Sequence, residues 1–133
     1  MTDIAEFLTT RYAEDEAAAK ACKPGPWMQG SERPHLVNGV IYGQSTGCPG
    51  GGHLEQVCMV NIDYAGQAGP ANVLHMLRYD PARVLADIAA DRLILKVCAN
   101  QVRMGCSTAR DVLLRLAAPY AEHPDFEPSW RVD

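Results

Sequence analysis

The chain has 133 residues, of which 47% are hydrophobic and 21% are charged, and its formal net charge is −4. This size and composition are typical of one globular domain with a real core and argue against intrinsic disorder. The excess of 16 acidic over 12 basic residues is the reverse of what proteins that bind nucleic acid usually carry.

The N-terminal residues 1–6 lack the basic region and the apolar run of a secretory signal, and no run of about 18 apolar residues is present to span a bilayer. We therefore expect a cytoplasmic protein without a membrane partner. In that compartment cysteines are expected to be reduced thiols or metal ligands rather than disulfides. The chain has five of them: Cys22, Cys48, Cys58, Cys98 and Cys106.

Residues 1–22 are predicted to form an N-terminal helix. Asp3 can cap it, and Glu6 follows three residues later in the arrangement of a capping box. Apolar residues then recur at helical spacing as far as Cys22. The segment Lys23-Pro24-Gly25-Pro26 ends the helix, because proline has no amide hydrogen and restricts the residue before it.

Residues 35–62 are predicted to form an antiparallel β-hairpin. The β-rich runs 36–42 and 55–62 are separated by a glycine-rich span from Gly43 to Gly52, which is typical of a flexible loop. A hairpin alone is marginally stable in water, so we expect it to pack on the helices.

Residues 70–122 are predicted to be helical. A short helix over 70–79 precedes Asp80, which can cap a second helix over 80–99 with Pro81 at its first position. The last turns of this helix are apolar nearly all round, so we expect it to be buried at the centre of the fold. The residues that widen its apolar stripe are Leu93, Ile94 and Val97.

A final helix is expected to begin at Thr108 and to kink or end at Pro119, and residues 123–133 form a C-terminal tail. Together these elements predict a single α+β domain over 1–133, with about four helices and one small antiparallel hairpin. The first and last helices are expected to pack against the helix over 80–99.

Two motifs in the C-terminal half resemble a family of small uncharacterised proteins of actinobacteria and their phages, classed as a domain of unknown function. One is a His-x4-Asp-Pro-Ala-Arg-Val-Leu helix, and the other is a Pro-Tyr-Ala-Glu-His-Pro-Asp-Phe segment near the end of the chain. The resemblance implies a bacterial or phage setting and supplies no reaction. The residues that carry it are His75, Asp80, Pro81, Arg83, Pro119, Tyr120, His123, Pro124 and Asp125.

One alternative interpretation is a zinc site. The spacing Cys48-x4-His53-x4-Cys58 would supply three ligands, with Cys98, Cys106 or His75 as the fourth. Structural zinc sites usually present thiols in close pairs, which this chain lacks. Because a buried free cysteine behaves as a small hydrophobe, we favour free thiols and expect no cofactor.

Two further patterns have simple structural explanations. Gly43-Gln44-Ser45-Thr46-Gly47 matches G-x-S-x-G, but a nucleophile elbow needs a helix after it, and the glycine-rich residues that follow cannot form one. Tyr120, Glu122, His123 and Asp125 could do acid–base work. We favour instead a role in ending the last helix and fastening the tail.

Since the sequence lacks a catalytic constellation, the leading hypothesis is a non-enzymatic protein–protein interaction or regulatory module whose partner is another protein. Trp27, Tyr42 and Trp130 are the candidate anchors. A zinc-binding domain or small metal-dependent enzyme is the alternative, and an accessory protein that binds nucleic acid is the third. A homo-oligomer is compatible with the first hypothesis.

Overall fold

A computed structural model of the chain describes residues 3–30, 40–44, 54–59 and 68–132. Within these ranges the chain forms four α-helices and a three-stranded sheet, which confirms the predicted α+β class. The helices are α1 (Ile4–Ala21), α2 (Ala68–Arg78), α3 (Pro81–Arg103) and α4 (Ser107–Ala117). The strands are β1 (Met28–Gln29), β2 (Val40–Gln44) and β3 (Leu54–Met59), and two 3₁₀ turns follow α4 at Ala118–Tyr120 and Pro128–Trp130.

The sheet is antiparallel and has the order β1-β2-β3. Strand β2 pairs with β3 from Val40 opposite Met59 to Gln44 opposite Leu54, with a shift in register between Ile41 and Tyr42. This pairing is the predicted hairpin, within the residues described. Strand β1 was not predicted, because two residues directly after the Pro26-Trp27 segment carry no detectable alternation of apolar and polar side chains.

The chain divides into two compact units, one formed by residues 1–16 with 87–133 and the other by residues 17–86. In the first unit, apolar side chains of α1, α3, α4 and the C-terminal segment are buried. These are Ile4, Phe7, Leu8, Tyr12, Ile88, Leu95, Cys98, Ala109, Leu113, Ala117, Phe126 and Trp130. In the second unit, Val40 and Ile41 of the sheet and Val73 of α2 are the most deeply buried apolar residues.

Helix α3 is longer than predicted, because it continues to Arg103 instead of ending near residue 99. Gly105 has a positive φ of 84°, which a glycine adopts without steric cost. The amide of Cys106 donates to the carbonyl of Gln101 at 3.0 Å, and that of Gly105 donates to Val102 at 2.9 Å. This is the Schellman arrangement that satisfies the last carbonyls of a helix, so Gly105 determines where α3 ends.

The prediction that the last turns of α3 are buried nearly all round is wrong. Leu93 is 69% exposed, Val97 is 57% exposed and Ile94 is 42% exposed. The buried side of α3 in the first unit is a narrower stripe that contains Ile88, Leu95 and Cys98. Within the described residues, no helix is both long and apolar enough to cross a bilayer.

Candidate functional site

The C-terminal motif fastens the end of the chain to α1. The Tyr120 hydroxyl donates to Asp15 Oδ2 at 2.5 Å. The Arg11 guanidinium contacts the His123 ring through Nη1, which lies nearest to Nε2, and donates to Glu14 at 3.0 Å. Because Arg11 is itself buried, these bonds satisfy a charge that would otherwise be costly to bury.

An aromatic cluster lies beside these polar contacts. The Phe7 ring is 5.1 Å from the Trp130 ring and 6.0 Å from the Phe126 ring, measured between centroids. Trp130 is buried, so it belongs to the core of this unit and is not an exposed anchor for a partner. Phe126 and Trp130 are four positions apart, and both rings contact Phe7 of α1.

The four residues considered for acid–base chemistry do not converge on one point. Tyr120 bonds to Asp15, His123 contacts Arg11, and Glu122 pairs with Arg131 at 3.4 Å. Asp125 is exposed, with a carboxylate oxygen 3.9 Å from His123 Nδ1. Pro119 and Pro124 are exposed and bracket the turn that carries these groups. The arrangement supports the predicted role in ending the last helix and fastening the tail.

Two tyrosines and a carboxyl group in this unit have raised pKa values. Burial, the hydrogen bond to Asp15 and the charge of that carboxylate raise the pKa of Tyr120. Burial, followed by the charges of Asp91 and Asp15, raises the pKa of Tyr12. Its hydroxyl is buried near Asp91 without a partner at full hydrogen-bonding geometry among the described residues. Burial and then Asp87 raise the pKa of Asp91.

The other family motif has a structural role in the second unit. Asp80 is buried, and its Oδ1 accepts from the Arg83 amide at 2.9 Å, which confirms the predicted N-cap of α3. Its Oδ2 accepts from the Trp27 amide at 2.8 Å. A Cβ at Gly25 would lie 2.8 Å from that same oxygen, so this close approach requires glycine.

His75 and Arg83 flank the exposed ring of Tyr79. The His75 and Tyr79 rings have centroids 4.8 Å apart, and Arg83 Cζ lies 5.9 Å from the Tyr79 centroid. Pro81 is buried at the first position of α3. The motif residues in this unit therefore cap and stack at the junction of α2 and α3.

Of the candidate anchors in this unit, Trp27 and Tyr42 are both half-buried. Trp27 Nε1 donates to the Lys23 carbonyl at 2.9 Å. The Trp27 indole also lies against Gly43, where a Cβ would be 3.1 Å from the ring. Part of the Trp27 indole is therefore packed against residues of the second unit, and only the rest of it is available for contact with another molecule.

The cysteines proposed as zinc ligands are only partly within the described residues. Cys48 and His53 lie outside them, whereas Cys58 lies on β3, Cys98 is buried on α3 and Cys106 precedes α4. Burial raises the pKa of the Cys58 thiol. Among the residues described, no three His, Cys, Asp or Glu side chains are grouped closely enough to hold a metal ion.

The most exposed apolar surface of the first unit is a stripe along α3, which we call the apolar stripe. It consists of Leu93, Ile94, Val97 and Met104, and Met104 is 81% exposed just after the last turn. Single exposed apolar residues are ordinary, but four of them lie within twelve positions here, three on α3 and Met104 directly after it. The helical spacing of Leu93 and Val97 indicates a second apolar face of α3. This face was not predicted, because both residues were assigned to the core.

A groove lies on another side of α3, within the same unit. It has a volume of about 340 Å³ and is floored by Ala5, Leu95 and Ala99, with Thr9 at its edge. Three cations of α3 line it, and we call Arg92, Lys96 and Arg103 the basic stripe. Arg92 pairs with Glu16 at 2.6 Å, whereas Lys96 and Arg103 have no ion pair with any described residue.

Comparison with known proteins gives one match, which covers residues 1–132 and corresponds to a family of unknown function (DUF6221). No curated protein and no solved structure matches the chain. The match covers essentially the whole chain, including both motifs whose contacts are described above. The chain therefore belongs to this family of unknown function.

Proposed function

We propose that the protein is a non-enzymatic interaction module that binds another protein through the apolar stripe of α3. The observation that carries this proposal is the exposure of Leu93 and Val97 along one face of α3 and of Met104 directly after its last turn. Exposing these side chains to water is unfavourable by about 25 cal/mol for each Å² of apolar surface. A partner that covers them would recover that free energy.

The contacts of the polar groups in the first unit also support a non-enzymatic role. Tyr120, His123 and Arg11 are each engaged in contacts that hold the chain together. In an interaction module the fastened tail would serve to keep α3 in a rigid unit, since rigid surfaces lose less entropy on binding.

The setting is a further part of the proposal. The resemblance carried by the two family motifs supports an actinobacterial or actinophage origin, and a cytoplasmic location belongs to the same proposal. In that setting the partner would be a host or phage protein.

The test compares partner capture by three forms of the protein immobilised on a resin. The first is the wild type, the second is Leu93→Ser/Val97→Ser, and the third is the control Met59→Ser/Leu74→Ser, which removes equally exposed apolar side chains elsewhere. Captured proteins from a bacterial lysate are quantified by mass spectrometry. We expect the wild type and control to retain the same partner and the stripe variant to lose it. Equal capture by all three forms would refute the proposal.

A further inference from the structure

The apolar stripe and the basic stripe run side by side along α3. An α-helix turns by about 100° per residue, so Arg92, Lys96 and Arg103 project within an arc of about 40°. Leu93 and Val97 project within a second arc of about 40°, which begins about 60° further round the helix, and Met104 directly follows the last turn. A molecule that covers the apolar stripe therefore meets the cations along one edge.

Two cations that have no ion pair with the residues described here, Lys96 and Arg103, contribute positive charge to that edge. Lys96 and Arg103 are both exposed and lie seven positions apart, which corresponds to about 10.5 Å along the helix axis. Arg92 is part of the row, but its charge is offset by Glu16. The chain as a whole has a net charge of −4, so these cations are a local departure from the overall charge.

We propose that the partner segment is an amphipathic helix with acidic residues along one flank. This inference rests on the proposed function. Apolar side chains of such a helix would pack on Leu93, Val97 and Met104, and two carboxylates about two turns apart would reach Lys96 and Arg103. The groove floor of Ala5 and Ala99 leaves room beside the cations for the carboxylate side chains.

Other occupants fit the two stripes less well. A second copy packed through the same face would bring another basic stripe, and an antiparallel pairing would bring two Lys96 side chains to one edge of the contact. A nucleic acid would be attracted to Lys96 and Arg103 but would leave the adjacent Leu93 and Val97 exposed. An acidic amphipathic helix complements both stripes at once.

The test uses two synthetic fluorescein-labelled peptides of about 21 residues, or three heptads. The first has leucine at spacings that match the apolar stripe and glutamate along both flanks, and its twin has lysine at every glutamate position. Fluorescence anisotropy measures their binding to the wild type, to Lys96→Glu/Arg103→Glu and to Leu93→Ser/Val97→Ser. The matched charge control is Arg110→Glu/Arg115→Glu, which reverses two exposed cations of α4. Circular dichroism confirms that each variant is folded.

We expect the wild type and the charge control to bind the glutamate peptide about tenfold more tightly than the lysine peptide, because two exposed ion pairs replace two repulsions. The double reversal at 96 and 103 should invert this preference. Binding of the glutamate peptide should also weaken as salt is raised.

Three results would overturn the inference, and they separate it from the proposed function. Equal binding of both peptides, lost in Leu93→Ser/Val97→Ser, would retain the docking face but refute the acidic partner. Dimerisation of the wild type in sedimentation equilibrium, lost in the same variant, would identify a second copy as the occupant. Binding of neither peptide would refute the acidic helical partner, whereas the proposed function would still be decided by the capture experiment with Leu93→Ser/Val97→Ser.

Discussion

The contact between Tyr120 and Asp15 joins the C-terminal segment to α1 through a single short hydrogen bond of 2.5 Å. A phenol that donates to a carboxylate makes a charge-assisted bond, which is stronger than a bond between neutral groups. Detachment of the tail would break this bond and leave both partly buried groups without it.

We predict that Tyr120→Phe lowers the free energy of unfolding by about 1–2 kcal/mol, because it removes the donor and leaves the Asp15 carboxylate without it. The measurement is chemical denaturation of Tyr120→Phe, Asp15→Ala and the double variant. A coupling energy of about 1 kcal/mol between the two positions is expected. Strictly additive effects would show that the bond contributes nothing to stability.

Asp91 gives a prediction about pH. Burial and the neighbouring Asp87 raise its pKa in the folded state, so folding disfavours the ionised carboxyl. A raised pKa contributes stability that is fully present below the pKa of the unfolded chain and is lost as pH rises through the folded pKa.

Asp91→Asn should therefore be more stable than the wild type at pH 7, with a rise in Tm of about 1–3 °C for a group that is partly solvated. The difference should shrink to nothing near pH 3, where the carboxyl is protonated in both states. Thermal unfolding of both proteins across this pH range measures it. A larger advantage at acidic pH than at neutral pH would contradict the sign of the shift.

At the scale of one element, α3 carries two apolar faces with different roles. Leu95 is buried within the first unit, whereas Leu93 and Val97 face solvent. Substituting a buried residue such as Leu95 should lower the free energy of unfolding, whereas substituting the exposed residues should leave it almost unchanged.

We predict that Leu95→Ala lowers the free energy of unfolding by about 2–4 kcal/mol, because it leaves a cavity in a packed core. Leu93→Ser/Val97→Ser should change it by no more than about 0.5 kcal/mol, as for ordinary exposed positions. Urea denaturation monitored by circular dichroism gives both values. A loss of several kcal/mol in the stripe variant would show that these side chains are structural.

The same helix shows how far sequence reasoning reaches. The start of α3 could be predicted, because Asp80 and Pro81 are strong local signals for a cap and a first turn. Its end could have been placed from Gly105, a glycine just beyond the periodic residues, but apolar periodicity alone suggested residue 99. Leu93 and Val97 were assigned to the core because hydrophobicity predicts burial without showing which neighbours are available to cover a side chain.

The contacts that hold the C-terminal motif could not be predicted as pairs. Sequence placed Tyr120 and His123 close together, but Arg11 and Asp15 are more than a hundred residues earlier, and nothing in the local pattern joins them. Long-range pairing of this kind depends on how α1 packs, which a single sequence does not specify. The role in fastening the tail was nevertheless the preferred interpretation.

At the scale of the whole molecule, the proposed function predicts that the protein binds no metal ion. Cys98 is buried among apolar residues, and Cys58 and Cys106 are half-buried thiols. Such positions suit cysteine as a small hydrophobe.

Native mass spectrometry of protein purified without chelator should therefore give the mass of the polypeptide without a bound metal ion. The control is the same sample after incubation with excess zinc and removal of unbound metal, which should return to that mass. A stoichiometric zinc adduct that is lost on substitution of Cys58, Cys98 or Cys106 would contradict this prediction and support the zinc alternative.

The most direct test of the central claim is a photo-crosslinking scan along α3. A benzophenone amino acid is placed in turn at the exposed positions 93, 97 and 104, and at the exposed α4 position 110 as a control, and each protein is irradiated in bacterial lysate. We predict that the first three positions give the same cross-linked product and that position 110 does not, because only the apolar stripe lies under the partner. Equal cross-linking at all four positions, or none at the stripe, would contradict the assignment of α3 as the docking surface.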